Sequence, residues 1–171
     1  MQLSTNLCTI RTWRATDGDA LVRHANNPRI AAQLRDRFPH PYTQADAERW
    51  LAFVATMDPL TSYVLEVEGE LVGSIGVVLH SDIDRVSAEI GYWVAEPLWG
   101  RGIATAALQA FSTWAFDRFE LTRLYATPFA DNQASCRVLE KAGYQRVGLL
   151  RRAAIKQGQI RDLALYDLIR A

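Results

Sequence analysis

The stretch from Trp93 to Thr105, Trp-Val-Ala-Glu-Pro-Leu-Trp-Gly-Arg-Gly-Ile-Ala-Thr, restricts the fold more than any other part of the chain. Before it, Arg85 to Ala95 alternates, with Ala88, Ile90, Tyr92 and Val94 on one parity and Glu89, Gly91 and Trp93 on the other. That is the period of a strand. After it, Ile103, Ala107, Phe111, Trp114 and Ala115 recur at the spacing of a helix packed on a sheet. A strand must therefore turn through Gly100 and Gly102 directly into an amphipathic helix. The first-turn N–H groups of such a helix lack intrahelical acceptors, and with the helix dipole they form an anion site suited to a pyrophosphate. Glycine at 100 and 102 lets the main chain approach phosphates without a Cβ between them. No Lys-Ser/Thr follows the glycines, so a Walker-type loop is excluded. The turn also follows an antiparallel meander, whereas the dinucleotide fingerprint belongs to the first strand of a parallel βαβ unit.

The remaining pattern supports a mixed sheet. Leu7 to Arg14 alternates as a first strand, and Thr16-Asp17 offers a cap for a helix through Leu21 and Ala25. A short helix is expected from Pro28, carrying Ile30, Ala31 and Leu34. Arg35 to Tyr42, with two prolines, reads as an irregular loop. Thr43 and Asp46 form a capping pair for a helix through Trp50 and Val54. Ser62 to Val67 and Leu71 to Leu79 flank a Glu68-Gly69-Glu70 turn as a hairpin. Thr122 to Thr127 predicts a strand and Asn132 to Ala142 a helix closed by Gly143. Tyr144 to Leu150 and Ile160 to Ile169 form a final strand pair around Gln157-Gly158-Gln159. The order β-α-α-β-β-β-α-β-α-β-β is α/β leaning to α+β: a mixed, mostly antiparallel sheet of about seven strands with helices on both faces.

A chain of 171 residues fits one domain, taken as 1–171, and is long enough to bury a core without disulfides or a structural metal. The formal net charge of +0 gives no reason to expect a nucleic-acid surface or a polybasic membrane patch. Cys8 and Cys136 show no ligand or CxxC spacing and are read as reduced, and His24, His40 and His80 show no metal spacing. The polar start lacks the apolar region of a signal peptide, and no apolar run has the length of a membrane span. The expectation is a cytoplasmic protein, monomer or homodimer, with no metal.

Two motifs together carry a resemblance. Glu89-Ile90-Gly91-Tyr92-Trp93-Val94 leads into Trp99-Gly100-Arg101-Gly102-Ile103-Ala104-Thr105; Asn132-Gln133-Ala134-Ser135 and Leu139-Glu140-Lys141-Ala142-Gly143-Tyr144 follow. The pair resembles the signatures of GNAT acetyltransferases, in the branch that includes the ribosomal-protein N-terminal acetyltransferases RimJ and RimL. The resemblance covers essentially the whole chain. It implies an acetyl-CoA-dependent N-acetyltransferase acting by direct transfer in a ternary complex. The acceptor is a protein N-terminal amine of the ribosomal type, or alternatively an amino acid, polyamine or aminoglycoside. A catalytically weak CoA-binding regulatory module is the reading from another class. By the resemblance, main-chain groups of Tyr92, Trp93 and Val94 pair with the pantetheine arm. Gly100, Arg101, Gly102, Ile103, Ala104 and Thr105 cradle the pyrophosphate, and Asn132 bonds the cofactor arm. Phe38, His40 and Tyr42 fall in the region that lines the acceptor site, while Arg35 and Asp36 are read either as recognising a charged acceptor or as solvated.

Aminolysis of a thioester needs a neutral amine, a polarised carbonyl and a stabilised thiolate. An α-amine has a pKa of about 8 and a lysine-type amine about 10.4, so a base helps. Glu89 is the candidate base, against a reading as a structural or solvated strand carboxylate. By the resemblance, Val94 N–H is the candidate carbonyl donor. Ser135 is the candidate donor to sulfur, against first-turn helix capping. The tyrosine that many family members carry seven residues after the motif asparagine is Leu139 here, and Pro97 stands where many carry Gln or Arg.

Overall fold

The computed structural model describes residues 1–170. Its eight strands form one sheet in the order β1-β2-β3-β4-β5-β6-β8-β7. They are β1 (Gln2–Ser4), β2 (Thr9–Arg11), β3 (Ser62–Val67), β4 (Glu70–Leu79), β5 (Ser87–Val94), β6 (Arg123–Ala126), β7 (Gln145–Lys156) and β8 (Gln159–Ile169). The helices are α1 (Gly18–Ala25), α2 (Pro28–Ala31), α3 (Gln44–Ala55), α4 (Ile103–Arg118) and α5 (Gln133–Lys141). Every neighbouring pair is antiparallel except β5 with β6, because α4 carries the chain back across the sheet between them.

The expected mixed sheet is present, with one strand more than the sequence pattern indicated. β1 pairs with β2 alone and turns only Leu3 toward the core, three residues being too few for an alternation to stand out. The first strand is correspondingly shorter than Leu7 to Arg14, and the final hairpin is longer, with β7 reaching Lys156.

Side chains of opposite parity on the central strands pack into two layers. Val64, Leu71 and Trp93 face α1–α3 and join Leu21, Ala25, Ile30, Tyr42 and Ala47. Leu65, Val72, Ile75, Ile90, Val94 and Leu124 face α4 and α5 and join Ala107, Phe111, Ala115 and Leu139. The helix boundaries follow local chemistry. Thr43 and Asp46 exchange hydrogen bonds at the start of α3 as a capping box. Asn132 caps α5, and Gly143 at φ +97 ends it.

Asp17 departs from its expected capping role. A short 3-10 segment from Ala15 to Asp17 precedes α1, and the Asp17 side chain caps no helical N–H. Its carboxylate instead holds Arg11 by two bonds of 2.9 and 2.8 Å and accepts Arg14 N–H at 2.7 Å. Arg11 is 4% exposed and also binds Glu66. A charge that far from water needs paired carboxylates, and this pairing decides where Asp17 points.

Candidate active site

β5 organises the site because its two edges are treated differently. On one side it pairs with β4 up to Gly73↔Val94. On the other it pairs with β6 only up to Glu89↔Tyr125, beyond which the two strands part. Ala95 N–H donates to the Val72 carbonyl at 2.7 Å. Hydrogen-bonding direction alternates along a strand, so the main-chain groups of Tyr92 and Val94 turn toward the parted edge and those of Trp93 toward β4. The Val94 carbonyl is taken by the Trp99 indole N–H at 2.7 Å. Val94 N–H and the main chain of Tyr92 remain facing the gap.

The turn after β5 is anchored before it reaches the helix. Residues Glu96–Leu98 form a 3-10 turn whose carboxylate, on Glu96, accepts from Asn27 Nδ2 at 2.6 Å and pairs with Arg29. The Asn27 hydrogen bond, with the Arg29 charge beside it, holds this carboxyl below the usual range. Arg29 also lies over the Trp99 ring at 5.1 Å. The sequence offered no sign of Glu96, Asn27 and Arg29 as a unit, since they are brought together only by the packing of α2 on this turn.

Gly100 and Gly102 both have positive φ, +78 and +82, which other residues adopt only with strain. Gly102 is the N-cap of α4 and supplies no side-chain cap. Ala106 N–H bonds the Gly102 carbonyl at 3.0 Å, so the N–H groups of Ile103, Ala104 and Thr105 precede the first intrahelical bond. A Cβ at position 102 would lie 3.3 Å from Leu7 Cδ1. Arg101 is exposed beside this bare helix end.

Across the gap stands the N-terminus of α5. Asn132 Oδ1 accepts Ser135 N–H at 3.1 Å, so this side chain, expected to face the cofactor, spends its carbonyl oxygen on capping and keeps its amide N–H groups. Ser135 Oγ lies 3.0 Å from the Tyr92 hydroxyl. Only the main chain of Tyr92 was assigned a role from the sequence. Burial pushes its phenol up to about 12, the hydrogen bond to Ser135 working the other way. Leu139 is fully buried in the core, so α5 presents no phenol of its own here.

Glu89 projects from the opposite face of β5, the one covered by α1–α3. Its Oε1 accepts from Thr127 Oγ1 at 2.7 Å and pairs with Arg35, which is itself largely exposed. A Cβ at Gly91 would meet nothing within 4 Å, so the strand face beside Glu89 is open. Asp36 is held by buried Lys156 at 2.8 Å. The charges of Arg35 and Asp36 are therefore both engaged within the protein. Phe38 is half-buried, its ring 5.2 Å from Tyr42 and 5.8 Å from Trp93. Tyr42 is 5% exposed and belongs to the core beneath the loop, whereas His40 is exposed. These three loop residues do not converge: one is core, one borders it, and one faces solvent.

The other expected histidines sit in local pairs, His24 on Glu70 and His80 on Tyr125. Among the described residues no group of His, Cys, Asp or Glu is arranged to hold a metal. Nor, among them, is any helix long and apolar enough to cross a membrane.

A strand parted from its neighbour, a bare helix N-terminus beyond a double-glycine turn and a capped helix opposite define a class. The family profile described as acetyltransferase (GNAT) domain matches residues 8–145, and the chain belongs to that family. Over 105 residues it is 37% identical to YdaF of Bacillus subtilis (strain 168), a candidate ribosomal N-acetyltransferase, covering 60% of this chain and 56% of that one. Over 107 residues it is 32% identical to the ribosomal-protein-serine acetyltransferase of Escherichia coli (strain K12), covering 63% and 59%. These alignments span little more than half the length of the two curated relatives. The structure of Mycobacterium smegmatis RimJ in complex with CoA-disulfide superimposes with a TM-score of 0.83 at 28% identity, over 95% of this chain and 81% of that one.

Proposed function

We propose that this chain is an acetyl-CoA-dependent N-acetyltransferase, one catalytic domain across residues 1–171, acting on protein N-terminal α-amines of the ribosomal type. The observation that carries the reading is the conjunction of the parted β5 edge with the uncapped start of α4. An extended amide arm adds to the first as a strand would, and a pyrophosphate suits the second. Family membership supports acyl transfer, the RimJ complex supports coenzyme A, and the two curated relatives support a ribosomal acceptor.

In this reading each side chain has one task. The N–H groups at Gly102–Thr105 hold the phosphates, and Arg101 adds charge beside them. The main chain of Tyr92 and Val94 aligns the arm in the gap, and Val94 N–H polarises the thioester carbonyl. Glu89, at the open face beside Gly91, takes the proton from the attacking amine. Ser135, on the other face, hydrogen-bonds the leaving sulfur, whose thiol pKa is near 8.5 and needs no strong acid. Base and donor thus approach the carbonyl carbon from opposite sides of the sheet. Thr127 and Arg35 both hold Oε1, which leaves Oε2 of Glu89 to receive the amine proton.

The reading is tested by incubating the protein with acetyl-CoA and a panel of peptide N-termini and small amines, then identifying acetylated products by mass spectrometry. Acetylation of peptide α-amines is the expected result. Products confined to small amines reject the ribosomal acceptor while retaining the chemistry.

A further inference from the structure

We infer that Tyr92 is a positioning residue for acyl transfer, its phenol turning the hydroxyl proton of Ser135 toward the leaving sulfur. The inference rests on the proposed reading, in which Ser135 is the donor to sulfur.

A serine hydroxyl rotates freely, so its worth as a donor depends on where its single proton points. Contacts from Asn132 and from the Tyr92 hydroxyl restrain Ser135. Its N–H is tied to Asn132 Oδ1 at 3.1 Å, which fixes the first turn of α5. Its Oγ lies 3.0 Å from the Tyr92 hydroxyl. A phenol is the better donor of the two and an alcohol oxygen the better acceptor. The phenol has one proton and two acceptors in reach; we take it to go to Ser135 Oγ at 3.0 Å rather than to the Ser135 carbonyl at 3.4 Å, which occupies one lone pair and leaves the serine proton directed elsewhere.

Two other buried phenols lie near α5 and show what a purely structural tyrosine looks like here. Tyr144 is 3% exposed and shares its hydroxyl with Ser112 at 2.8 Å inside the core. Tyr166 is 1% exposed and donates to Glu140 at 2.9 Å. Tyr92 differs in two respects. It is only partly covered, and its main chain belongs to the parted edge of β5, so its hydroxyl meets α5 where that helix opens on the gap. The strand thereby supplies a phenol where Leu139 gives α5 none.

In the step concerned, the amine nitrogen forms a bond to the thioester carbonyl carbon and gives a proton to Glu89. The C–S bond then breaks with its electron pair passing to sulfur. Ser135 O–H hydrogen-bonds the departing thiolate, which takes its proton from solvent, and the Tyr92 proton stays on oxygen throughout.

The test is a double-mutant cycle of Tyr92→Phe and Ser135→Ala, measuring kcat, acetyl-CoA Kd by calorimetry and melting temperature. In the wild-type background Y92F is expected to lower kcat about tenfold with Kd unchanged. In the S135A background it is expected to have no further effect, because its route runs through the serine. Ser135→Thr, which keeps a hydroxyl, should restore sensitivity to Y92F. An unchanged kcat in Y92F overturns the inference, as does an equal loss in both backgrounds or a loss confined to Kd. If Y92F melts early, the S135T and S135A pair still decides: equal kcat in those two overturns it. Failure of the wild type to bind acetyl-CoA would instead defeat the proposed function.

Discussion

The two sides of β5 are built by different means. On the side of α4 and α5, the candidate cofactor site is mostly main chain: N–H groups at a helix start, a parted strand edge and two glycines at positive φ. On the side of α1–α3, the candidate acceptor site is side chain: Glu89 held by Thr127 and Arg35, with Phe38 packed between Tyr42 and Trp93. A main-chain site serves any acceptor chemistry so long as the turn is kept. A side-chain site can be re-specified one residue at a time. In the proposed reading the shared half of the reaction therefore lies where substitution is hardest, and the half that selects the amine lies where it is easiest.

The sharpest separation of the two sides is expected from Glu89→Gln. It should lower kcat/KM about 100-fold or more, since general base catalysis contributes on that order. Acetyl-CoA affinity, measured by calorimetry, should not move; a parallel loss of affinity would show that the two sides are not independent. Gly102→Val probes the opposite side. Holding a β-branched residue at φ +82 costs on the order of 1–3 kcal/mol, and the added Cβ meets Leu7. Acetyl-CoA Kd should rise by about 30-fold with the fold retained by circular dichroism, whereas an unchanged Kd would remove the helix start from the site.

A smaller effect should be common to both sides. Tyr92 on one and Tyr42 on the other each have a phenol pushed up to about 12 by burial. The folded pKa lies above the unfolded value near 10, so the unfolded chain releases its proton first. Stability is therefore intact below about pH 10 and falls between about 10 and 12, by up to about 1.4 kcal/mol per pH unit for each phenol. Denaturant titrations across that range should show the slope, and Tyr42→Phe should reduce it by one share, the rest coming from Tyr92 and from Tyr63, Tyr125, Tyr144 and Tyr166, whose phenols burial also raises. A flat profile would mean that neither phenol is shielded from water.

The same contrast explains what could be read from the sequence. The turn at Gly100–Gly102, the cap at Thr43 and the closing Gly143 are local devices, each determined by residues within a few positions of one another. The alternation of β5 correctly sorts Glu89 and Trp93 from Tyr92 and Val94. The pairs that define the acceptor side and the Tyr92 hydroxyl contact are long-range: Arg35 to Glu89, Thr127 to Glu89, Tyr92 to Ser135, Lys156 to Asp36. Their residue types are ordinary, and no spacing announces them. Asp17 shows the competition directly, for its sequence context is that of a helix cap, but a buried arginine on β2 takes its carboxylate. The strand Gln2–Ser4 escaped notice because three residues are too few for their alternation to stand out.

The most direct test of the account is coenzyme A thiol release from acetyl-CoA by the wild-type protein, with and without an amine acceptor. Release that depends on the amine, saturates in both substrates and falls sharply in Glu89→Gln is the predicted result. Tight binding of acetyl-CoA with no amine-dependent release from any acceptor would contradict it and make the chain a CoA-binding module.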